Sequence, residues 1–166
     1  MADRCVTRFN WRYRLGMGLL TLGGRVRERE VLYHHGRDDV DRLADETGEK
    51  ARLVVERDGV GITLYQSTGE SVDDTRTHAG SVEELYCTGA GKALLATFPA
   101  DRVEQYLSET TLQAYTEQTI TDPEALRDEL DVIRSRGFAI DDEERYEGRR
   151  CVASAIVSTA GAPSVR

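Results

Sequence analysis

The strongest constraint on this fold lies in residues 51–67. Ala51–Arg57 and Val60–Ser67 are both rich in strand-forming residues, and only Asp58-Gly59 stands between them. Asp-Gly supplies the two positive φ angles of a type I′ turn, whose twist matches that of the strands it joins. A β-hairpin is therefore predicted here, and the other elements have to be arranged around a sheet.

Upstream, Leu15, Leu19, Leu22 and Val26 recur at helical spacing, which predicts an amphipathic helix facing the core. Gly16, Gly18, Gly23 and Gly24 each cost it up to about 1 kcal/mol of intrinsic stability, so packing must hold it, against the core or another copy of itself. Before it, Thr7–Arg14 alternates aromatic and polar residues as a strand does, with no turn partner ahead of it. A second helix is predicted over Asp38–Thr47. Val40, Leu43, Ala44 and Thr47 share one face of it, and Gly48 caps its C-terminus.

Downstream, residues 68–83 are polar and turn-rich, which predicts a surface loop. Leu85-Tyr86 reads as a short strand entering a turn and helix over Cys87–Ala96, which Pro99 ends. A further helix starts at Ala100. Thr121 or Asp122 caps the next one, with Pro123 near its first position, Leu126, Leu130 and Ile133 on its core face, and Gly137 as its stop. Phe138–Ile140 reads as a strand, Asp141–Arg150 as a charged loop and Cys151–Ser158 as another strand. The order implies an α+β domain, a mostly antiparallel sheet with helices packed on it.

Composition narrows the function classes. The net charge is −8, with 30 acids against 22 cations, and Lys50 and Lys92 are the only lysines. Duplex affinity comes largely from phosphate neutralisation by Lys and Arg, so this chain is a poor DNA binder by itself. An acidic, arginine-for-lysine surface suits a high-salt cytoplasm, where screening removes its self-repulsion. The weakly polar stretch Leu15–Gly24 is far shorter than the ~20 residues a membrane span requires. Cys5, Cys87 and Cys151 are an odd number at wide spacing, which reads as reduced thiols with neither a disulfide framework nor a metal site.

Gly89-Ala90-Gly91-Lys92 invites a phosphate-loop reading, yet Tyr86 stands where the first glycine belongs and Ala93 where Ser or Thr does. No cofactor motif is present. Small residues at a helix start let a ligand approach the backbone, and free N–H groups there favour an anion. They equally permit tight helix–sheet packing. In the run Asp141-Asp142-Glu143-Glu144, side chains alternate direction, so no more than two can converge; in so acidic a chain a solvated loop is expected. Cys87 and Cys151, with His78 and Asp141, could supply a nucleophile and base, but no local catalytic signature surrounds either cysteine. His34 and His35 point apart and make poor joint ligands.

Taken in order, Tyr13-Arg14-Leu15-Gly16, Leu43-Ala44 with Thr47-Gly48-Glu49, and Cys87-Thr88-Gly89-Ala90-Gly91-Lys92-Ala93-Leu94-Leu95-Ala96 resemble the IclR family of transcriptional regulators. So do Thr119–Leu126, Gly137–Glu144 and Gly148 to Ala153, and the resemblance covers about residues 13–159. It implies a GAF-like effector-binding domain that follows a winged helix-turn-helix in the family. Residues 1–14 then correspond to the remnant of the wing of a missing DNA-binding domain, 15–34 to the linker helix, and 35–166 to the effector-binding domain. The family's last strand would begin near Ser164 and is mostly absent. By position, the ligand-binding residues become Gly89, Ala90, Asp141 and Cys151. The implied partners are a small carboxylate effector, further copies of the chain as dimer or tetramer, and DNA only through the helix-turn-helix. Asp141 would meet a hydroxyl or aldehyde hydrate, because two anions repel. No cofactor, metal, catalysis or membrane is expected, and the location is cytoplasmic. Two other readings stand beside this one: a stand-alone GAF-like sensor or protein-interaction module, and a cysteine-dependent enzyme on the same fold.

Overall fold

The computed structural model describes residues 5–70 and 76–157. They fall into two compact units, Met1–Val54 with Thr63–Ser81, and Val55–Ile62 with Val82–Arg166. The first unit opens with a correction. The segment expected as one unpaired strand folds back on itself, with β1 (Val6–Phe9) antiparallel to β2 (Arg12–Leu15) and Phe9 opposite Arg12. The reversal runs through Asn10 at φ 55°, a left-handed conformation that Asn tolerates better than most residues. Asn10-Trp11 lacks the glycine that marks such turns, so the alternation ran through it unbroken.

The predicted helix starts two residues later than expected, as α1 (Met17–Arg27), with Leu15 in β2 instead, and it does not face a core: none of its residues is buried. Leu19, Leu20, Leu22 and Val26 are all exposed, as is Leu15 before it. Helix α2 (Val31–Thr47) begins seven residues before the predicted Asp38, and its buried face is Tyr33, Gly36, Val40 and Ala44 rather than one including Leu43 and Thr47. Gly36 belongs to that face because a Cβ there would stand 3.1 Å from Leu53 Cδ2. Val40 and Ala44 pack with Ala51 and Leu53 of β3 (Lys50–Arg57), and Leu32 and Tyr65 close the edge. The Tyr65 hydroxyl donates to Asp41 Oδ1 at 2.9 Å. Gly48, at φ 71°, caps α2 as expected.

The hairpin forms as predicted. Strand β4 (Val60–Thr68) follows β3 through Asp58 at φ 52° and Gly59 at φ 80°, both positive as a type I′ turn requires. In the second unit β5 (Val82–Glu84) runs antiparallel to β4, with Val60 opposite Glu84. The strand therefore ends before Leu85-Tyr86, where one was expected. Leu85, Tyr86 and Cys87 instead turn inward, at 1% exposure or less, and start the main core. The predicted loop over 68–83 is also not wholly at the surface, since Thr77 and Glu83 are buried; residues 71–75 lie outside the described residues.

That core is completed by α3 (Gly89–Leu95), α4 (Ala100–Glu109) and α5 (Pro123–Arg136). Asp122 caps α5 by accepting from Ala125 N at 2.8 Å, and Leu126, Leu130 and Ile133 are buried as the periodicity requires. Strands β6 (Ala139–Asp142) and β7 (Arg150–Ala153) pair antiparallel with Asp141 opposite Cys151. The strand predicted over Cys151–Ser158 thus ends at Ala153, while Ser158 and the strand expected near Ser164 lie outside the described residues. All pairings resolved between these strands are antiparallel, which agrees with the predicted α+β class.

Two glycines test how the fold uses them. A Cβ at Gly91 would lie 2.3 Å from Leu85 Cα, against backbone that cannot turn aside, whereas one at Gly23 would meet nothing within 4 Å. Gly91→Ala should cost about 3 kcal/mol or more in urea unfolding. Gly23→Ala should raise stability by about 0.5–1 kcal/mol through helix propensity. Equal midpoints for the two variants would contradict this packing.

Candidate functional site

The residues singled out at the start of α3 converge. An ideal Cβ on Gly89 would stand 3.3 Å from Cys151 Sγ, 3.4 Å from Cys151 O and 3.5 Å from Asp141 Cβ. Three elements, α3, β6 and β7, meet there because Asp141 and Cys151 are cross-strand partners and share the inward face of their ribbon. Ala90 follows Gly89 in α3 and is half-buried. Sequence placed these four residues in one neighbourhood, and the structure brings Gly89, Asp141 and Cys151 into contact range.

The electrostatics of the helix start differ from the simple expectation of free N–H groups. Thr88 caps α3, its hydroxyl accepting from Gly91 N at 3.2 Å. The Gly89 N–H faces the Asp141 carboxylate, which also accepts from Glu144 N at 2.9 Å and is held by Arg145 N. The protein's own carboxylate therefore stands where a ligand anion was envisaged. Burial pushes the Asp141 carboxyl above its usual value, and the three backbone donors and Lys92 only partly oppose it.

The acidic run corrects a second expectation. Asp141 and Glu144 are 5% and 6% exposed, so only Asp142 and Glu143 behave as a solvated pair. Glu143 sits at φ 64°, and this left-handed residue turns the chain so that its successor points inward. The Glu144 carboxylate meets Lys92 Nζ of α3 in a buried ion pair, with Glu129 Oε1 of α5 3.7 Å from the same ammonium. Lys92 is 1% exposed. Burial raises the Glu144 carboxyl also, against the pull of Lys92. Sequence reasoning weighed Lys92 only as a phosphate-loop lysine and Glu144 only as part of a solvated run, and did not pair them. The available signal was that Lys92 is one of two lysines in a chain whose other cations are arginine.

A nucleophilic cysteine finds no support. Cys87 is fully buried, and burial, with Glu84 adding to it, pushes its thiol up to about 12. His78 is exposed. Among the described residues no group of three or more His, Cys, Asp or Glu is placed to hold a metal ion. No described helix is long and apolar enough to cross a membrane. Two shallow surface hollows, about 190 and 260 Å³, lie beside Gln118 and Glu143, and neither is lined by Gly89, Asp141 or Cys151.

Comparison with known proteins places this arrangement. Residues 26–165 match the family model described as bacterial transcriptional regulator IclR C-terminal. The chain belongs to the IclR family of transcriptional regulators, and what it spans is their C-terminal domain. It is 37% identical over 160 residues to "Probable HTH-type transcriptional regulator ArcR" of Halobacterium salinarum, covering 92% of this chain and 61% of that protein. It is 32% identical over 153 residues to the HTH-type transcriptional regulator KdgR of Escherichia coli, covering 90% of this chain and 57% of that protein. Among solved structures, the IclR of Thermotoga maritima superposes with a TM-score of 0.85 at 31% identity, covering 98% of this chain and 66% of that one. The chain thus spans less than two thirds of the curated relatives named. Those relatives are regulators rather than enzymes, which agrees with the reading of no catalysis.

The buried acids give a pH signature. A carboxyl whose folded pKa is raised binds protons more tightly in the folded state, so its contribution to stability is present below the unfolded value and fades as pH rises through the folded one. Asp141→Asn, which keeps an acceptor for Glu144 N, should gain stability relative to the parent as pH rises from about 4 to about 7. Thermal midpoints of both chains across that range measure it, and parallel curves would contradict it.

Proposed function

We propose that this chain is the effector-binding and oligomerisation domain of an IclR-type DNA-binding regulator, and that its effector is a small carboxylate. The observation that carries the reading is the meeting of Gly89, Asp141 and Cys151, from three elements, in a chain that belongs to this family. Gly89 and Ala90 form the backbone wall, Cys151 the apolar wall, and Asp141 the polar end. Since Asp141 already occupies the Gly89 N–H, it meets a hydroxyl or aldehyde hydrate of the effector, and the effector's carboxylate lies away from it. DNA is read by the helix-turn-helix of the regulator, with residues 1–14 belonging to its wing and 15–34 to a linker that holds α1 and the start of α2, and the protein works in the cytoplasm. The acidic, lysine-poor composition suits a high-salt one.

Assembly is supported by α1. Its leucines and Val26 are exposed and no residue of it is buried, while its glycines lower its intrinsic stability. A helix of that kind gains its stability by burying its apolar face against a second copy.

A thermal-shift screen of small carboxylates finds the effector. Gly89→Ala, whose Cβ would stand 3.3 Å from Cys151 Sγ, should weaken binding of the best one while the chain stays folded, and Asp141→Ala should weaken only hydroxyl-bearing ligands, by about 1.5–3 kcal/mol. Undiminished binding by Gly89→Ala would move the pocket elsewhere. Separately, light scattering at tens of micromolar should give a mass above that of one chain, and the paired change Leu19→Glu with Leu22→Glu should return it to the monomer. A monomeric parent would remove the oligomerisation half of the proposal.

A further inference from the structure

Glu144 is a node for three parts of the second unit. Its side chain pairs with Lys92 on α3, its carbonyl accepts from Thr119 Oγ1 at 2.6 Å, and its N–H donates to Asp141 Oδ1 at 2.9 Å. The neighbouring Glu143 carbonyl accepts from Thr116 Oγ1 at 2.7 Å, so two threonines before α5 hold the same peptide stretch. The only covalent route from Lys92 to Asp141 is a long one, but the non-covalent route has two steps. Lys92 fixes Glu144, and Glu144 fixes one oxygen of Asp141.

We infer that Lys92, acting through Glu144, is the positioning residue for Asp141 and thereby sets the domain's preference for hydroxyl-bearing ligands. This rests on the reading of Asp141 as the effector's hydroxyl partner. Oδ1 is held by Glu144 N, and the backbone N–H groups of Gly89 and Arg145 also donate to the carboxylate. The groups facing Asp141 are Lys92 on α3, Glu144 and Arg145 on the following turn, and Cys87 beneath it. Lys92 is the cation among them whose side chain is fully enclosed, at 1% exposure. If the Lys92–Glu144 pair is lost, the peptide at 143–144 is freed from α3, Asp141 loses its fixed orientation, and the site remains but discriminates less.

The test uses the intact chain. Lys92→Met leaves the Glu144 charge buried without its partner and is expected to lower the thermal midpoint sharply. The paired variant Lys92→Met with Glu144→Leu removes both charges together, keeps the midpoint near the parent's, and so separates positioning from stability. In that variant the amide at position 144 should exchange its hydrogen at least about tenfold faster than in the parent, with the α5 amides unchanged. An unchanged rate at position 144 overturns the inference. 3-Hydroxybutyrate and butyrate, which differ by one hydroxyl set apart from the carboxylate, are then compared by calorimetry. The parent should prefer 3-hydroxybutyrate, and the paired variant should bind both alike; a retained preference overturns the inference. Glu144→Gln still accepts from Lys92, so it should keep both the slow exchange and the preference, and a loss equal to that of the paired variant would show charge rather than position at work. If the parent binds no small carboxylate at all, the effector reading fails, and the exchange measurement decides the positioning by itself.

Discussion

The second unit depends on one expensive contact, the ion pair between Lys92 and Glu144. Enclosing an ammonium and a carboxylate forfeits several kcal/mol of hydration per ion, and an apolar pair of equal volume would often give comparable or greater stability. What an apolar pair lacks is direction. The pair holds the inward-turned Glu144 on the same stretch whose carbonyls accept from Thr116 and Thr119 and whose Glu144 N donates to Asp141. The left-handed Glu143 is held by the same set of contacts. A lysine suits this place better than the arginine used nearly everywhere else in the chain. Its ammonium is a compact point charge that reaches Glu144 and Glu129 together, whereas a guanidinium is planar and carries donors that this enclosed space would leave unpaired.

Much of the architecture was legible because the relevant signals are local. Asp58-Gly59 dictates its turn whatever surrounds it, and the Asp122 cap, Pro123 and Gly137 bracket α5 with residues whose roles rest on backbone geometry alone. The misreadings share a different cause. Asn10 reverses the chain without a following glycine, so an alternating pattern concealed a hairpin. The buried face of α2 is set by where Leu53 comes to lie against Gly36, a partner far away in sequence. Leu85-Tyr86 has the composition of a strand, but in the second unit these side chains are wanted in the core, and β5 ends one residue earlier.

The candidate site was legible by position and only partly by physics. That Gly89, Asp141 and Cys151 share a place follows from the ribbon register, which pairs Asp141 with Cys151, and from α3 approaching that face of it. No spacing rule announces that Asp141 takes the Gly89 N–H or that Glu144 turns into the protein. A run of four acids reads as solvated because charge normally is; the two that are buried depend on a lysine 49 and 52 positions earlier in the sequence. Buried polar networks are closed by distant partners, and a sequence names the partners without pairing them.

Specificity at such a place follows from what is already occupied. An empty helix start would welcome any anion, and the family of ligands it admits would be wide. Here Thr88 and Asp141 have taken the Gly91 and Gly89 N–H groups, so an incoming anion finds a carboxylate before it finds a donor. Repulsion between two carboxylates in an enclosed space is worth far more than in water. Under the proposed function, a ligand would be admitted only if it turned a proton donor toward Asp141 and kept its own charge away. On that proposal, the selectivity of the helix start would come from the carboxylate that accepts the Gly89 N–H, and its orientation from the neighbouring Lys92–Glu144 pair.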